Sequence, residues 1–110
     1  MRIGCDLVYV PRVKERIAEA VLTDNERLDM ASRPEGKRLE FLAGRFAAKE
    51  AVMKAYGVGM KGMLFTEIEV SYDEHGAPYA TYKGRRIAIS ISHDGDYAYA
   101  VALLGGEMDE

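Results

Sequence analysis

Hydrophobic and polar residues follow two periods along this chain, a helical one in the first half and an alternating one in the second. A loosely alternating segment at residues 2–8 predicts an opening strand. A first helix is predicted over about residues 10–20, where Pro11 is tolerated in the first turn and four apolar residues recur at helical spacing. These four residues are Val10, Val13, Ile17 and Val21.

Two further helices are expected before the period changes. Thr23 and Glu26 form a capping-box pattern, which predicts a short helix over about residues 24–31. Pro34 then opens the longest helix, which runs to about Tyr56 and ends at Gly57, a suitable left-handed cap. Its predicted core stripe consists of Leu39, Leu42, Phe46 and Met53.

The second half predicts strands at residues 66–73, 79–82, 87–93 and 97–104, separated by glycine-containing turns. In the first of them, Ile68, Val70 and Tyr72 share one face. The expected fold class is therefore α+β, with early helices, one of them long and central, packed on a mainly antiparallel sheet. We expect a single domain at residues 1–104 and a frayed acidic tail at 105–110.

Composition agrees with one ordinary globular domain, since 48% of the 110 residues are hydrophobic and 30% are charged. Cys5 is the only cysteine, so no internal disulfide can form, and a secreted disulfide scaffold is excluded. The N-terminus lacks a signal-peptide pattern, and no segment approaches the ~20 apolar residues of a membrane span. We therefore expect a cytoplasmic protein without a membrane partner.

Charge is distributed unevenly along the chain. The formal net charge of −3 argues against a nucleic-acid partner, because proteins that bind nucleic acid are usually basic. Residues 37–62 nevertheless contain six basic and two acidic residues. A cationic segment within an acidic chain indicates an anionic small ligand.

Three charged residues lie in unusually apolar surroundings. Glu50 and Lys54 are four residues apart and therefore share one face of the long helix. An exposed ion pair is the ordinary interpretation, but the flanking alanines and Phe46 favour partial enclosure. Asp6 is an acid at the end of an apolar strand, where a turn or cap is the ordinary role. Two carboxylates from different elements, with phosphate oxygens and water, are a ligand set that suits Mg²⁺.

Three segments resemble one family. They are GCDLV at residues 4–8, FLAGRFAAKEAVMKAYGVG at 41–59 and SISHDGDYAYA at 90–100. Together, and in this order, they resemble the holo-(acyl carrier protein) synthases, the small 4′-phosphopantetheinyl transferases of fatty-acid synthesis. The resemblance extends over nearly the whole chain, and the central segment is the most specific part.

The resemblance implies an enzyme that transfers 4′-phosphopantetheine from coenzyme A to a serine of apo acyl carrier protein, with release of adenosine 3′,5′-bisphosphate. It also implies Asp6 and Glu50 as Mg²⁺ ligands, and Glu50 and Lys54 as catalytic residues. The implied coenzyme A contacts are Arg45, Lys49, Lys54, Gly57, Gly59, Gly76, Pro78, Ser90, Ser92 and His93. The implied docking residues for the carrier protein are Arg12, Lys14 and Arg16.

A chain of this length resembles the trimeric class of the family, in which active sites lie between subunits. One departure concerns the coenzyme-binding turn, where Ala77 stands in place of the usual lysine. The residues leave Glu50 and a water held by the metal as two candidates for the general base. Two other functions stay open: a non-catalytic module that binds coenzyme A or a carrier protein, and a Mg²⁺-dependent nucleotide hydrolase.

Overall fold

The computed structural model describes residues 1–57 and 62–105. Within these ranges a five-stranded antiparallel sheet has the strand order β1-β5-β4-β3-β2. The strands are β1 (Arg2–Tyr9), β2 (Ile68–Tyr72), β3 (Pro78–Tyr82), β4 (Arg85–Asp94) and β5 (Tyr97–Leu104), and the helices are α1 (Ala18–Val21), α2 (Asp24–Ser32) and α3 (Arg38–Tyr56). The expected α+β fold with a long central helix is confirmed.

Helix α3 packs along β1, β5 and β4 and supplies the centre of the core. Its Ala47, Ala48 and Ala51 are completely buried, and such small side chains let the helix lie close to the sheet. The helix ends at Gly57 as predicted, because the glycine adopts φ 79° and its N–H donates to the carbonyls of Met53 and Lys54.

The predicted core stripe of α3 is correct at Leu42 and Met53, which are fully buried, and Phe46 packs against the core while partly exposed. Leu39 departs from the prediction, since it is 37% exposed. It lies in the first turn of α3, where the helix has only just begun.

The predicted first helix is wrong as a continuous element. Short 3₁₀ turns at Val10–Arg12 and Glu15–Ile17 precede the four-residue α1. Between the turns Val13 and Lys14 are extended, and this lets the β-branched Val13 bury its side chain in the core. Tertiary burial therefore overrides the helical period here, whereas α2 begins with the predicted capping box between Thr23 and Glu26.

The sheet has a helix face and an open face. Alternation along β1 and β5 turns Gly4, Asp6 and Val8 towards α3, opposite the wholly buried Ala98 and Ala100 of β5. The opposite side, which we call the open face, carries Ile3, Cys5, Leu7, Tyr9, Ala88, Ser90, Ser92, Tyr97, Tyr99 and Leu103.

The four predicted strands of the second half are present, although β2 is preceded by a 3₁₀ turn at Phe65–Glu67. Ile68 and Val70 are buried as expected, whereas Tyr72 at the end of this edge strand is 42% exposed. No helix in the described part of the chain is both long and apolar enough to cross a membrane. Apart from Gly105, the predicted tail lies outside the described residues.

Candidate active site

A cleft of about 360 Å³ lies between the end of β1, the two 3₁₀ turns that follow it and the middle of α3. Its charged lining residues are Asp6, Arg12, Lys14 and Glu50. Its apolar wall consists of Leu7, Val8, Tyr9, Val13, Ile17 and Phe46. The cleft thus combines two carboxylates and two cations with an apolar lining.

Gly4 explains how Asp6 comes so close to α3. A Cβ atom at residue 4 would lie 2.0 Å from the Ala51 carbonyl oxygen and 2.7 Å from the Ala55 nitrogen. Only glycine permits this approach of strand to helix. Two residues further along the same face of β1, the Asp6 carboxylate therefore meets the helix turn that carries Glu50 and Lys54.

Lys54 connects the strand with the helix. Its Nζ donates to Asp6 Oδ1 at 3.1 Å and to the Cys5 carbonyl oxygen at 3.0 Å. The pKa of Glu50 is raised by burial and by the neighbouring negative charge of Asp6, and Lys54 partly offsets both effects. The structure therefore brings these three predicted site residues together in one electrostatic group.

The donor set of the cleft fits a hard divalent cation that is only partly held by protein. Two crowded carboxylates supply the negative charge, and no cluster of three or more His, Cys, Asp or Glu suited to a metal occurs among the described residues. Mg²⁺ keeps several waters and is commonly bound by one or two carboxylates together with substrate phosphates. Asp6 and Glu50 match that requirement.

The predicted docking cations are close to the cleft but are not equivalent. Arg12 and Lys14 line it, and the Arg12 guanidinium also lies 5.5 Å from the centre of the Tyr9 ring. Arg16 is exposed in the second 3₁₀ turn and does not line the cleft. A positive rim therefore borders the carboxylates on the side of the 3₁₀ turns.

The prediction that Lys49 contacts a coenzyme needs correction. Its side chain is completely buried, and Nζ donates to Glu26 Oε1 at 2.5 Å and to the carbonyl oxygens of Val21 at 2.6 Å and Phe65 at 3.1 Å. Burial lowers the pKa of Lys49, and the Glu26 carboxylate opposes that effect. All three ammonium protons have protein acceptors, so Lys49 holds the fold together and is not exposed to a ligand.

The predicted capping-box role of Glu26 is correct, but this carboxylate also has partners in the interior that the sequence did not reveal. Besides its capping-box bond to the Thr23 N–H at 2.8 Å, its Oε2 accepts from the Val70 N–H at 2.6 Å. The side chain is 2% exposed and forms an ion pair with Lys49. One carboxylate therefore joins the start of α2, the edge strand β2 and the middle of α3.

Arg45, another predicted coenzyme A contact, is also directed away from the cleft that contains Asp6 and Glu50. Its guanidinium lies 4.2 Å from the centre of the Phe41 ring, contacts the Tyr72 hydroxyl and is 3.8 Å from Asp29 Oδ2. The side chain is 8% exposed, and its buried Nε has no hydrogen-bond partner within the described residues.

His93 lies on the helix face of β4, the face that also carries Ile87, Ile89 and Ile91. Its Nε2 is 3.1 Å from the Glu40 carbonyl oxygen, and a Cβ at Gly44 would lie 3.0 Å from the same nitrogen. Ser90 and Ser92 point to the open face instead. These three predicted coenzyme contacts are therefore not part of the cleft formed by Asp6 and Glu50.

The glycines predicted at the coenzyme site fall into two groups. Gly57 caps α3, and a Cβ there would lie 2.5 Å from Arg2 Nη2. Gly76 lies in the β2–β3 connection and Pro78 is the first residue of β3; β5 and β4 separate both from β1 in the sheet. Gly59 lies outside the described residues.

The apolar wall of the cleft is the part that sequence reasoning missed. The helical period predicts Val13 and Ile17 on the apolar face of a regular helix, and Phe46 in the core stripe of α3. The two 3₁₀ turns and the extended link between them bring Val13 and Ile17 to the cleft, where they meet Phe46 of α3. Hydrophobic periodicity alone carries no signal for such a wall, because core and cleft residues are equally apolar.

Comparison with known proteins identifies the family to which this fold belongs. A sequence model described as the 4′-phosphopantetheinyl transferase superfamily matches residues 2–102. The holo-[acyl-carrier-protein] synthase of Bacillus pumilus is 41% identical over 112 residues, which cover 93% of each chain. The matched region includes every described residue of the cleft.

Two solved structures show the same fold. The holo-(acyl-carrier-protein) synthase of Bacillus anthracis, in complex with CoA (3′,5′-ADP), has a TM-score of 0.84 and 37% identity, covering 92% of each chain. The Helicobacter pylori holo-[acyl-carrier-protein] synthase in complex with coenzyme A has a TM-score of 0.81 and 28% identity, covering 94% of this chain and 99% of that one.

Proposed function

The chain belongs to the 4′-phosphopantetheinyl transferase superfamily, and we propose that it transfers 4′-phosphopantetheine from coenzyme A to a serine of apo acyl carrier protein in fatty-acid biosynthesis. The products are holo acyl carrier protein and adenosine 3′,5′-bisphosphate. The observation that carries this proposal is the convergence of Asp6, Glu50 and Lys54 on one cleft. The similarity to two coenzyme A complexes supports the donor.

The reaction we propose is a displacement at phosphorus. The serine Oγ bonds to the β-phosphorus of coenzyme A, the bond from that phosphorus to the bridging oxygen breaks, and the serine proton is released. Charge neutralisation and positioning dominate such transfers, because the protein forms no covalent bond. Asp6 and Glu50 would hold a Mg²⁺ ion, which when bound would offset charge on the pyrophosphate oxygens. The Lys54 ammonium binds the phosphate oxygens from the side of α3.

The carrier protein approaches over the rim formed by Arg12 and Lys14, with Arg16 adding charge from the next turn. An acidic enzyme with net charge −3 needs such a local positive surface to meet an acidic partner. The apolar wall beside the carboxylates suits the hydrocarbon portions of the pantetheine arm or of the carrier helix.

A homotrimer with active sites between subunits accounts for the open face of the sheet. Large apolar side chains are exposed there, including Ile3 at 69%, Leu7 at 61% and Tyr97 at 46%. Exposed apolar patches of this kind commonly mark protein interfaces. Ser90, Ser92, His93, Gly76 and Pro78 then contact coenzyme A across the subunit boundary rather than within one chain.

Assembly is tested by replacing Ile3, which faces Leu103 across the β1–β5 pair. Sedimentation should show a trimer for the unchanged protein and a smaller species for Ile3→Glu. Leu28→Glu is the matched control, because Leu28 is 72% exposed on α2, away from the open face. If the unchanged protein, Ile3→Glu and Leu28→Glu all sediment with the same mass, whether as trimers or not, an interface on the open face is contradicted.

Transfer itself is tested by incubating the protein with Mg²⁺, coenzyme A and a bacterial apo carrier protein. Mass spectrometry should show a carrier heavier by one phosphopantetheine, and chelation of the metal should prevent the gain. Binding of coenzyme A without any mass gain on several carriers would favour the non-catalytic alternative. Release of coenzyme A fragments without a carrier would favour the hydrolase alternative.

A cytoplasmic location also belongs to this proposal, because the enzyme must be in the same compartment as the carrier protein that we propose as its substrate. The unpaired Cys5 agrees with a reducing compartment. Cell fractionation followed by immunodetection measures it directly. Recovery in the membrane or secreted fraction would contradict it.

A further inference from the structure

The Lys54 ammonium forms an ion pair with Asp6, one of the two carboxylates that the proposed metal site requires. It is 3.1 Å from Asp6 Oδ1 and 3.0 Å from the Cys5 carbonyl oxygen, so both acceptors belong to β1. Within the described residues, no other side chain forms an ion pair with Asp6. In the structure, Lys54 is therefore the counter-ion of this carboxylate.

The ion pair between Lys54 and Asp6 is accessible enough for Lys54 to exchange Asp6 for another anion. The Lys54 side chain is 53% exposed, and that of Asp6 is 17% exposed. Solvent reaches both side chains, and ion pairs open to water are individually weak, so the ammonium can leave Asp6 when another anion is offered. Lys49 shows the opposite case, because it is wholly enclosed and cannot exchange its three acceptors without disrupting the core.

Glu50 places a second carboxylate beside the Lys54–Asp6 ion pair. It precedes Lys54 by one helix turn, and its pKa is raised by burial and by Asp6 but lowered by Lys54. One ammonium thus moderates the repulsion between two carboxylates. A divalent cation that binds alone must displace the Lys54 ammonium from Asp6 into water. When the cation binds together with a pyrophosphate, the displaced ammonium can bind a phosphate oxygen instead.

We propose that Lys54 makes cation binding conditional on the donor: it holds Asp6 while the site is empty of ligand and moves to a phosphate oxygen when the cation and coenzyme A bind together. This inference rests on the proposed function, since it assumes that Asp6 and Glu50 hold the cation. By linkage, the donor strengthens cation binding by the same factor as the cation strengthens donor binding. Lys54 is the residue that creates much of this coupling.

The proposal predicts opposite effects of one substitution. Without coenzyme A, Lys54→Met removes a competing positive charge, so the cation should bind about three- to tenfold more tightly. With coenzyme A, the same variant has lost a phosphate partner, so the cation should bind more weakly than to the unchanged protein. If Lys54 acted only by repelling the cation, Lys54→Met would bind the cation more tightly both with and without coenzyme A.

Mn²⁺ is a suitable probe, because it prefers the same oxygen ligands and its free ion is measured by electron paramagnetic resonance. Binding is measured with and without coenzyme A, after subtraction of the Mn²⁺ bound by coenzyme A alone. Lys14→Met is the matched control: it removes a cation that lines the cleft but has no contact with Asp6 in the structure. Circular dichroism verifies folding, and Lys54→Gln serves if Lys54→Met unfolds.

We expect the sign of the Lys54→Met effect to reverse on addition of coenzyme A, and the Lys14→Met effect to stay smaller and unreversed. Equal Mn²⁺ affinity of Lys54→Met and unchanged protein without coenzyme A would overturn the proposal. So would the same gain in Lys14→Met. Absence of Mn²⁺ binding to the unchanged protein even with coenzyme A is a different failure, because it removes the metal site and with it the proposed function.

Discussion

Lys49 and Glu50 are adjacent in α3, yet their side chains serve different parts of the molecule. Lys49 Nζ lies 2.5 Å from Glu26 Oε1 in the interior, whereas Glu50 lines the cleft. Neighbouring helix residues point about 100° apart. The buried ion pair therefore fixes the rotation of α3 that presents Glu50 to Asp6.

Replacing Lys49 by Met should destabilise the fold by about 3–5 kcal/mol, because the Glu26 carboxylate would stay buried without its cation. The free energy of unfolding in urea measures the effect. Lys37→Met is the control, since Lys37 is exposed and surface changes usually stay within about 0.5 kcal/mol. The double variant Glu26→Gln/Lys49→Met should recover much of the loss; a single variant as stable as the unchanged protein would contradict the structural role of Lys49.

Gly4→Ala should separate β1 from α3, because the new methyl group would lie 2.0 Å from the Ala51 carbonyl oxygen. We expect a loss of at least about 2–3 kcal/mol in the free energy of unfolding, together with loss of transfer. Gly36→Ala is the matched control, since a Cβ there meets nothing within 4 Å. Gly4→Ala with unchanged stability and activity would mean that this close approach is not required.

The sequence allowed the period of each strand and of α3 to be predicted, because those patterns are local. It also identified Asp6, Glu50 and Lys54, but their meeting depends on the pairing of β1 with β5 and the packing of both on α3. Such contacts join residues more than 40 positions apart, and spacing alone cannot show them. Only the family resemblance suggested that the two carboxylates share a site.

The errors have equally definite causes. The break of the first helix at Val13 depends on burial of that side chain against the core, which overrides the local period. Lys49 belongs to a charged motif, and its enclosure depends on α2 and on the turn at Phe65, both far away in sequence. A charge pattern does not reveal which side of a helix another element will cover.

Glu50→Gln should stabilise the protein in the absence of metal. Burial and Asp6 raise the folded pKa of Glu50 above its ordinary value of 4.5, so its ionisation reduces stability as the pH rises through that raised value. The variant should therefore unfold at a higher temperature at pH 7–8, and the difference should shrink as the pH falls towards 4.5. Thermal unfolding at several pH values measures this.

The control for that series is Glu74→Gln, which removes a charge from an exposed turn. It should unfold like the unchanged protein throughout. A Glu50→Gln variant that is less stable than the unchanged protein at pH 8 without metal would show that the carboxylate is not crowded in the way the structure indicates.

Arg12→Glu/Lys14→Glu should raise the KM for the carrier protein about tenfold while kcat at saturation changes little, because rim charges govern encounter more than chemistry. The effect should diminish at high salt. Lys37→Glu/Lys83→Glu is the matched control, because it reverses the same number of charges on exposed residues that do not line the cleft. Similar KM changes in both proteins would assign the effect to net charge rather than to the rim of the cleft.

The central claim is that Asp6 and Glu50 form the site of phosphopantetheine transfer. Its most direct test is the mass of an apo carrier protein after incubation with Mg²⁺ and coenzyme A, comparing unchanged protein with the folded variants Glu50→Gln and Glu74→Gln. We predict the phosphopantetheine mass gain for the unchanged protein and Glu74→Gln, and at least about a hundredfold slower gain for Glu50→Gln. An equal rate of gain with Glu50→Gln would contradict the account.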